Sequence, residues 1–272
     1  MLCFPNCKIN LGLFVTQRRA DGYHDIETVF YPLGVNDVLE IVPAANGGPQ
    51  IHLSGLPVSG DKFDNLAWKA YTLLEQEFPD RIPAIEVFLH KVIPMGAGLG
   101  GGSADGSFML RLLNDFSDLG LNDEQLMERA LSLGSDCPFF IKNKPQFATG
   151  RGEQMTPVEI SLSQYSIQLV CPGVHVSTKD AFAQITPRPA AYDLRNLSTL
   201  PPEQWAAHIG NDFEQPVFSH YPVLAEIKAR LIENGALYAA MSGSGSTIFG
   251  IFPKKQKATW NAGTTFTEFY VE

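Results

Sequence analysis

The sequence predicts an α+β protein of two domains, a β-rich N-terminal part over residues 1–160 and a C-terminal part over residues 161–272. Three observations predict it. The first third of the chain alternates with period two, the signature of strands. A glycine-rich loop near residue 100 then runs into two successive helical patterns. After a composition shift at Ser161 to Tyr165, the patterns follow the order strand, helices, strand, strand, short helix, strand, a split β-α-β arrangement of ferredoxin-like type. With 272 residues, the chain can bury a large core.

The elements follow in order. Cys7, Ile9, Leu11, Leu13 and Val15 fall on one face of a first strand, and Lys8, Asn10, Gly12 and Phe14 on the other. Arg18 to Gly22 contains an Asp-Gly turn, and alternation resumes from Ile26 to Leu33, so the two strands form a hairpin or meander. Val38 to Val42 and Gln50 to Leu53 are further strands, separated by the loop Pro43 to Pro49. Asp64 is expected to cap a helix with the stripe Leu66, Ala70, Leu73 and Leu74, followed by a strand from Ala84 to Val92.

Beyond the glycine loop, a helix starting near Ser103 places Phe108, Met109, Leu112 and Leu113 on one face. Asp123 is expected to cap a second helix with the stripe Leu126, Ala130, Leu131 and Leu133. A strand from Gln146 to Thr149, with a turn at Gly150 and Gly152, closes this half. In the C-terminal half, Ile167 to Cys171 reads as a strand, Asp180 to Ile185 as a short helix, and Val223, Ile227 and Leu231 as one helix face. Ala236 to Met241 and Thr247 to Phe252 are strands around Ser242 to Ser246, and Phe266 to Val271 is the last.

Composition narrows the function classes. The net charge of −9 offers no basic stripe for a nucleic-acid backbone, so nucleic acid is not an expected partner. No apolar run reaches the ~20 residues of a membrane span, and the N-terminus lacks a signal-peptide pattern. A cytoplasmic protein with no membrane partner is expected. Cys3, Cys7, Cys137 and Cys171 are too sparse for a disulfide framework and read as free, buried thiols. The six histidines include no i,i+4 pair, so no protein-built metal cage is expected.

The loop Pro94-Met95-Gly96-Ala97-Gly98-Leu99-Gly100-Gly101-Gly102-Ser103-Ala104 carries the chemistry. A Walker loop needs a lysine after its last glycine, where this chain has Ser103. Gly96 to Gly101 spells the dinucleotide fingerprint, yet the helix after it leads to another helix instead of a parallel strand. Two readings of the residues remain. One is a tight turn between strand and helix; the other is an anion site, in which unpaired backbone N–H groups and the helix dipole meet a phosphate. In the second, Ser103 offers a hydroxyl to the phosphate or its Mg²⁺.

This loop resembles the second motif of the GHMP kinases, the superfamily of galactokinase, homoserine kinase, mevalonate kinase and phosphomevalonate kinase. Lys8-Ile9-Asn10-Leu11 with Arg19-Ala20-Asp21-Gly22-Tyr23-His24 resembles the first motif, and Met241 to Ser246 the third, in the right order. Ala20 to His24, Leu133 to Phe140, Pro172-Gly173-Val174 and Asn211 to Glu214 extend the resemblance over nearly the whole chain. They point to the branch that acts on a cytidylyl polyol in isoprenoid precursor synthesis.

The resemblance implies a two-domain GHMP kinase fold, with an N-terminal ATP-binding domain and a C-terminal ferredoxin-like domain. It implies ATP and Mg²⁺ as cofactors and a small-molecule substrate with a cytidine diphosphate group, in a monomer or weak homodimer. Catalytic roles fall on Lys8 and Asp136, and ATP binding on Pro94 to Ala104, with Ser103 a possible Mg²⁺ ligand. Asn10, Tyr23, His24, Thr178, Asp180 and Phe182 line the substrate side; Lys91, Ser242, Gly243, Ser244 and Gly245 support the site, in a cleft expected between the halves.

Local sequence alone reads several of these residues more plainly: Lys8 and Lys91 as solvated strand lysines, and Asp136 as a turn or N-cap acid. Gly106 and Ser107 stand where the family usually carries alanines, and Cys7 and Cys137 replace small or aliphatic residues. A sister-substrate kinase, a non-catalytic nucleotide or sugar sensor on the same fold, and a nicotinamide oxidoreductase are the rival readings.

Overall fold

The structure, a computed structural model, describes residues 1–45, 47–58, 60–260 and 266–272. In chain order the strands are β1 (Leu2–Cys3), β2 (Asn6–Arg18), β3 (His24–Asn36), β4 (Val38–Pro43), β5 (Gln50–Gly55), β6 (Ile85–Lys91), β7 (Gln146–Thr149), β8 (Gln154–Pro157), β9 (Tyr165–Cys171), β10 (Tyr238–Met241), β11 (Ile248–Pro253) and β12 (Thr267–Val271). The helices are α1 (Leu66–Glu77), α2 (Gly101–Phe116), α3 (Asp123–Leu133), α4 (Cys137–Lys142), α5 (Thr178–Ala183), α6 (Pro202–Trp205), α7 (Glu214–His220) and α8 (Pro222–Glu233). The class is α+β, as the patterns predict. None of these helices is long and apolar enough to cross a membrane.

Two compact units interleave along the chain. The first comprises Met1–Cys7, Gly34–Met95 and Gly100–Lys144, and the second Lys8–Leu33, Gly96–Leu99 and Pro145–Glu272. The glycine loop therefore changes unit twice within a few residues.

In the first unit the sheet runs β1-β4-β6-β5, antiparallel except that β5 lies parallel to β6. On β6, Ile85, Val87, Leu89 and Lys91 are buried while Phe88 and His90 are exposed, the alternation of a strand covered on one face. Leu39, Ile41, Val87 and Leu89 form the core with Leu74 of α1, Leu110 and Leu113 of α2, and Leu126 and Ala130 of α3. At Gly106 a Cβ would stand 3.0 Å from Leu66 Cβ, so α1 and α2 approach closely over a missing side chain. That contact offsets the helix propensity that glycine gives up there.

Cap positions differ from expectation by one residue. Asn65 caps α1 by accepting the Ala67 N–H, while Asp64 belongs to a 3-10 turn capped by Asp61. Asn122 caps α3 in a reciprocal box with Gln125, which leaves Asp123 as the first helical residue. Leu131 is 40% exposed and outside the buried stripe, because it follows Ala130 by about 100° around the helix.

In the second unit one sheet runs β2-β3-β7-β8 and the other, antiparallel, β10-β11-β9-β12. β9 thus lies between β11 and β12, as a split β-α-β order requires. β2 is buried on both faces from Asn6 to Val15, so its polar residues Lys8 and Asn10 are enclosed. β8 lies outside the expected elements: it is short, mostly exposed, ends at Pro157 and carries no alternation. Leu13, Val15, Val170, Phe213, Leu224, Ile227, Met241 and Phe252 are among the core of this unit. The short helix expected between the last two strands falls partly on residues 261–265, outside the described residues, as does Asn46 of the loop Pro43 to Pro49.

Candidate functional site

Three alternating glycines shape the loop. Gly96, Gly98 and Gly100 have φ of +65°, +78° and +71°, a left-handed backbone that only glycine adopts at little cost. Gly100 is the N-cap of α2 and supplies no side-chain capping bond. No N-cap side chain takes up the first N–H groups of this 16-residue helix, and its dipole makes that end attractive to an anion.

Within the second unit, Gly96–Leu99 is held by the first and third motifs. Lys8 N–H donates to the Leu99 carbonyl at 2.9 Å, and Thr247 N–H to that of Ala97 at 3.1 Å. The Lys8 ammonium donates to Asn10 Oδ1 at 2.8 Å and to the Gly98 carbonyl at 3.2 Å, and lies 5.1 Å from the Phe30 ring centroid. Asn10 Nδ2 donates to Thr28 Oγ1 at 2.9 Å, and that hydroxyl donates to the Gly12 carbonyl at 2.6 Å. Ser242 Oγ donates to the Gly98 carbonyl at 2.8 Å. Asn211 Nδ2 donates to the Met241 and Gly243 carbonyls, each at 2.7 Å. Lys8 is only 4% exposed and Asn10 2%, so neither is a solvated strand residue. An ammonium held this deep is a point of positive potential.

The same unit carries the residues that the resemblance places on the substrate side. The His24 ring stacks on Phe182 with centroids 4.9 Å apart, and Phe182 meets Phe213 edge-on at 4.7 Å. Burial, and then Arg18, lower the basicity of His24, which favours the neutral imidazole with one donor and one acceptor. Tyr23 is 56% exposed, and the Arg151 guanidinium lies 4.8 Å from its ring centroid. Thr178 and Ser244 share a hydrogen bond of 2.9 Å. Asp180 is exposed on α5 and, with Ser177, Gln184, His220 and Tyr221, lines a cavity of about 300 Å³.

The first unit carries Ser103, Asp136 and Lys91. Ser103 and Asp136 are half-buried. Asp136 occupies the N-cap of α4, yet its side chain makes no capping hydrogen bond. The bond that fixes the chain here is Ser107 Oγ to the Cys137 carbonyl at 2.7 Å. The Cys137 thiol, hydrogen-bonded to Ser103 and Ser107, is pushed up to about 12 by burial and stays protonated. Two of the unusual residues thus tie the start of α2 to the start of α4.

Lys91 is neither solvated nor open to a ligand. Its ammonium is wholly buried and paired with Asp37 and with Asp105, the latter at 2.6 Å. Burial raises the Asp105 carboxyl to about 8, against the opposing pull of Lys91. Asp37, Asp105, Thr28 and Arg151 are not singled out by sequence pattern, although their neighbours are.

Residues 65–144 match the family model of the GHMP kinases N terminal domain, and residues 195–259 that of the GHMP kinases C terminal. The chain belongs to the GHMP kinase family. Among its relatives, a protein of Bacteroides fragilis named 4-diphosphocytidyl-2-C-methyl-D-erythritol kinase is 53% identical, covering 95% of this chain and 94% of the relative. One of the same name from Parabacteroides distasonis is 50% identical, covering 93% and 92%. A crystal structure of 4-(cytidine 5'-diphospho)-2C-methyl-D-erythritol kinase superposes with a TM-score of 0.76 at 31% identity, covering 92% of this chain and 90% of that one. Homoserine kinase from Cytophaga hutchinsonii superposes with a TM-score of 0.66 at 16% identity, covering 93% and 85%, and so shares the fold.

Proposed function

We propose that this chain transfers the γ-phosphoryl group of ATP to the 2-hydroxyl of 4-diphosphocytidyl-2-C-methyl-D-erythritol, a step of the non-mevalonate route to isoprenoid precursors. The observation that carries the reading is 53% identity over 95% of the chain with a relative bearing that kinase's name. The enclosed Lys8, the glycine turn and the uncapped α2 N-terminus are the features such a transfer needs.

In this reading residues 1–160 form the ATP-binding domain and 161–272 the C-terminal domain of a cytoplasmic enzyme. The triphosphate rests on Pro94 to Ala104, where glycines leave no Cβ between backbone N–H groups and phosphate oxygens. Asp136 accepts the proton of the 2-hydroxyl as its oxygen bonds to the γ-phosphorus and ADP leaves. Lys8, oriented by Asn10, offsets charge on the transferring group. Mg²⁺ would neutralise charge on the nucleotide, and the Ser103 hydroxyl would be its protein ligand.

Tyr23, His24 and Phe182 receive the cytosine, with Thr178 and Asp180 beside them. Tyr23→Ala is expected to raise KM for the cytidylyl substrate about tenfold, the loss of one stacking face, with kcat little changed. Steady-state kinetics with varied cytidylyl substrate checks this. An unchanged KM puts the cytosine elsewhere.

A further inference from the structure

The cluster that fixes the approach to the glycine turn lies wholly in the first unit, and sequence pattern singled out only one of its three members. Asp37 Oδ1 accepts the N–H groups of Val92 and Ile93 at 2.5 and 2.9 Å, and Asp37 Oδ2 accepts the Lys91 ammonium. These bonds fix the three residues immediately before Pro94. Lys91 Nζ also donates to Asp105 Oδ2 at 2.6 Å, on the second turn of α2. The side chains of all three are fully buried. A Cβ on Gly101 would stand 3.5 Å from Lys91 Nζ and 2.8 Å from Ile93 Cγ2, so the ammonium and the strand end lie directly against the first residue of α2.

Buried charges are rare unless something is fixed by them, because apolar residues would pack there at less cost. Here two carboxylates share one ammonium, and Asp105 Oδ1 is buried without a hydrogen-bond partner among the described residues. Stability alone does not account for such an arrangement. Its bonds connect two segments, the end of β6 and the start of α2, and the glycine loop is the chain between them.

We propose that Asp37, Lys91 and Asp105 are positioning residues that hold the end of β6 and the N-terminus of α2 in the register that receives a polyphosphate. The proposal rests on the reading of ATP as phosphoryl donor. The cluster acts on nucleotide affinity and touches neither the cytidylyl substrate nor the transfer step.

Asp37→Asn and Lys91→Met in the full chain test it. Asparagine keeps the shape of Asp37, but its amide cannot both accept the two backbone N–H groups and accept the ammonium without turning a donor toward one of them. In each variant KM for ATP is expected to rise about tenfold, with kcat and KM for the cytidylyl substrate within about twofold of wild type. Loss of the ion pair without a role at the turn would lower the melting temperature and leave the ratio of the two KM values unchanged. That outcome overturns the proposal, as does a folded variant with unchanged KM for ATP. Should Lys91→Met fail to fold, the milder Asp37→Asn decides. Calorimetric titration of ATP separates the two layers: no saturable binding to wild type sinks the ATP reading and this proposal with it. Saturable binding that is equal in Asp37→Asn sinks the positioning role alone.

Discussion

Asp136→Asn is expected to lower kcat by about 10²- to 10⁴-fold while leaving ATP bound, the range lost when a positioned general base is removed. The start of α4 should not suffer. Asp136 stands at the N-cap of α4 without a side-chain capping bond, and Pro138 sits within the first helical positions, so the helix start does not depend on the carboxylate. Asparagine has the same shape and caps as well as aspartate, so the helix start is expected to change in stability by less than about 1 kcal/mol. Calorimetric melting and ATP titration of the variant, set beside single-turnover kinetics, check the three parts together. Turnover near wild type would remove Asp136 from the mechanism, and a collapse in melting temperature would make its role structural.

Gly98→Ala is expected to damage the protein most among single-methyl changes. Gly98 has φ of +78°, and a Cβ there would stand 2.0 Å from the Ser242 carbonyl oxygen and 3.1 Å from that of Gly245. An alanine therefore carries the left-handed penalty of about 1–2 kcal/mol and an overpacking cost of about 1–3 kcal/mol against backbone. The loop is also held by Lys8 and Ser242 through the Gly98 carbonyl, so relief of the clash moves the Lys8 ammonium with it. A fall in melting temperature together with at least a tenfold loss of kcat/KM is the expected result, measured by calorimetry and steady-state kinetics. An alanine variant as stable and active as wild type would show that this close approach is not kept in solution.

Much of this was legible in the chain. Period-two alternation marks β2, β3, β4 and β6 because each has at least one buried face. β8 escaped because four residues ending in Pro157, mostly exposed, leave no periodic signal. Caps at Asn65 and Asn122 were missed in favour of neighbouring aspartates, since Asn and Asp are nearly equal as caps and only geometry separates adjacent candidates.

The site divides in the same way. The glycine turn follows from the sequence, but which of its glycines are left-handed does not, since Gly101 and Gly102 in the same run are helical. The Asp37–Lys91–Asp105 cluster was half visible. Lys91 continues the buried phase of Ile85, Val87 and Leu89 on β6, and Asp105 lies four residues before the buried Met109 on α2. A charge at a buried phase must find a partner, so a lysine and an aspartate at two such positions were candidates for each other. Asp37 could not be found this way, because it lies between β3 and β4 in a position with no period. Arg151 was equally hidden: its contact with Tyr23 joins two turns far apart in sequence.

The proposed function is tested by a coupled assay of ADP release by the full chain with ATP, Mg²⁺ and one of three acceptors: 4-diphosphocytidyl-2-C-methyl-D-erythritol, mevalonate or homoserine. Release is expected with the cytidylyl acceptor and to stay at the level of ATP alone with the other two. Turnover of mevalonate or homoserine with none of the cytidylyl compound would contradict the proposed function.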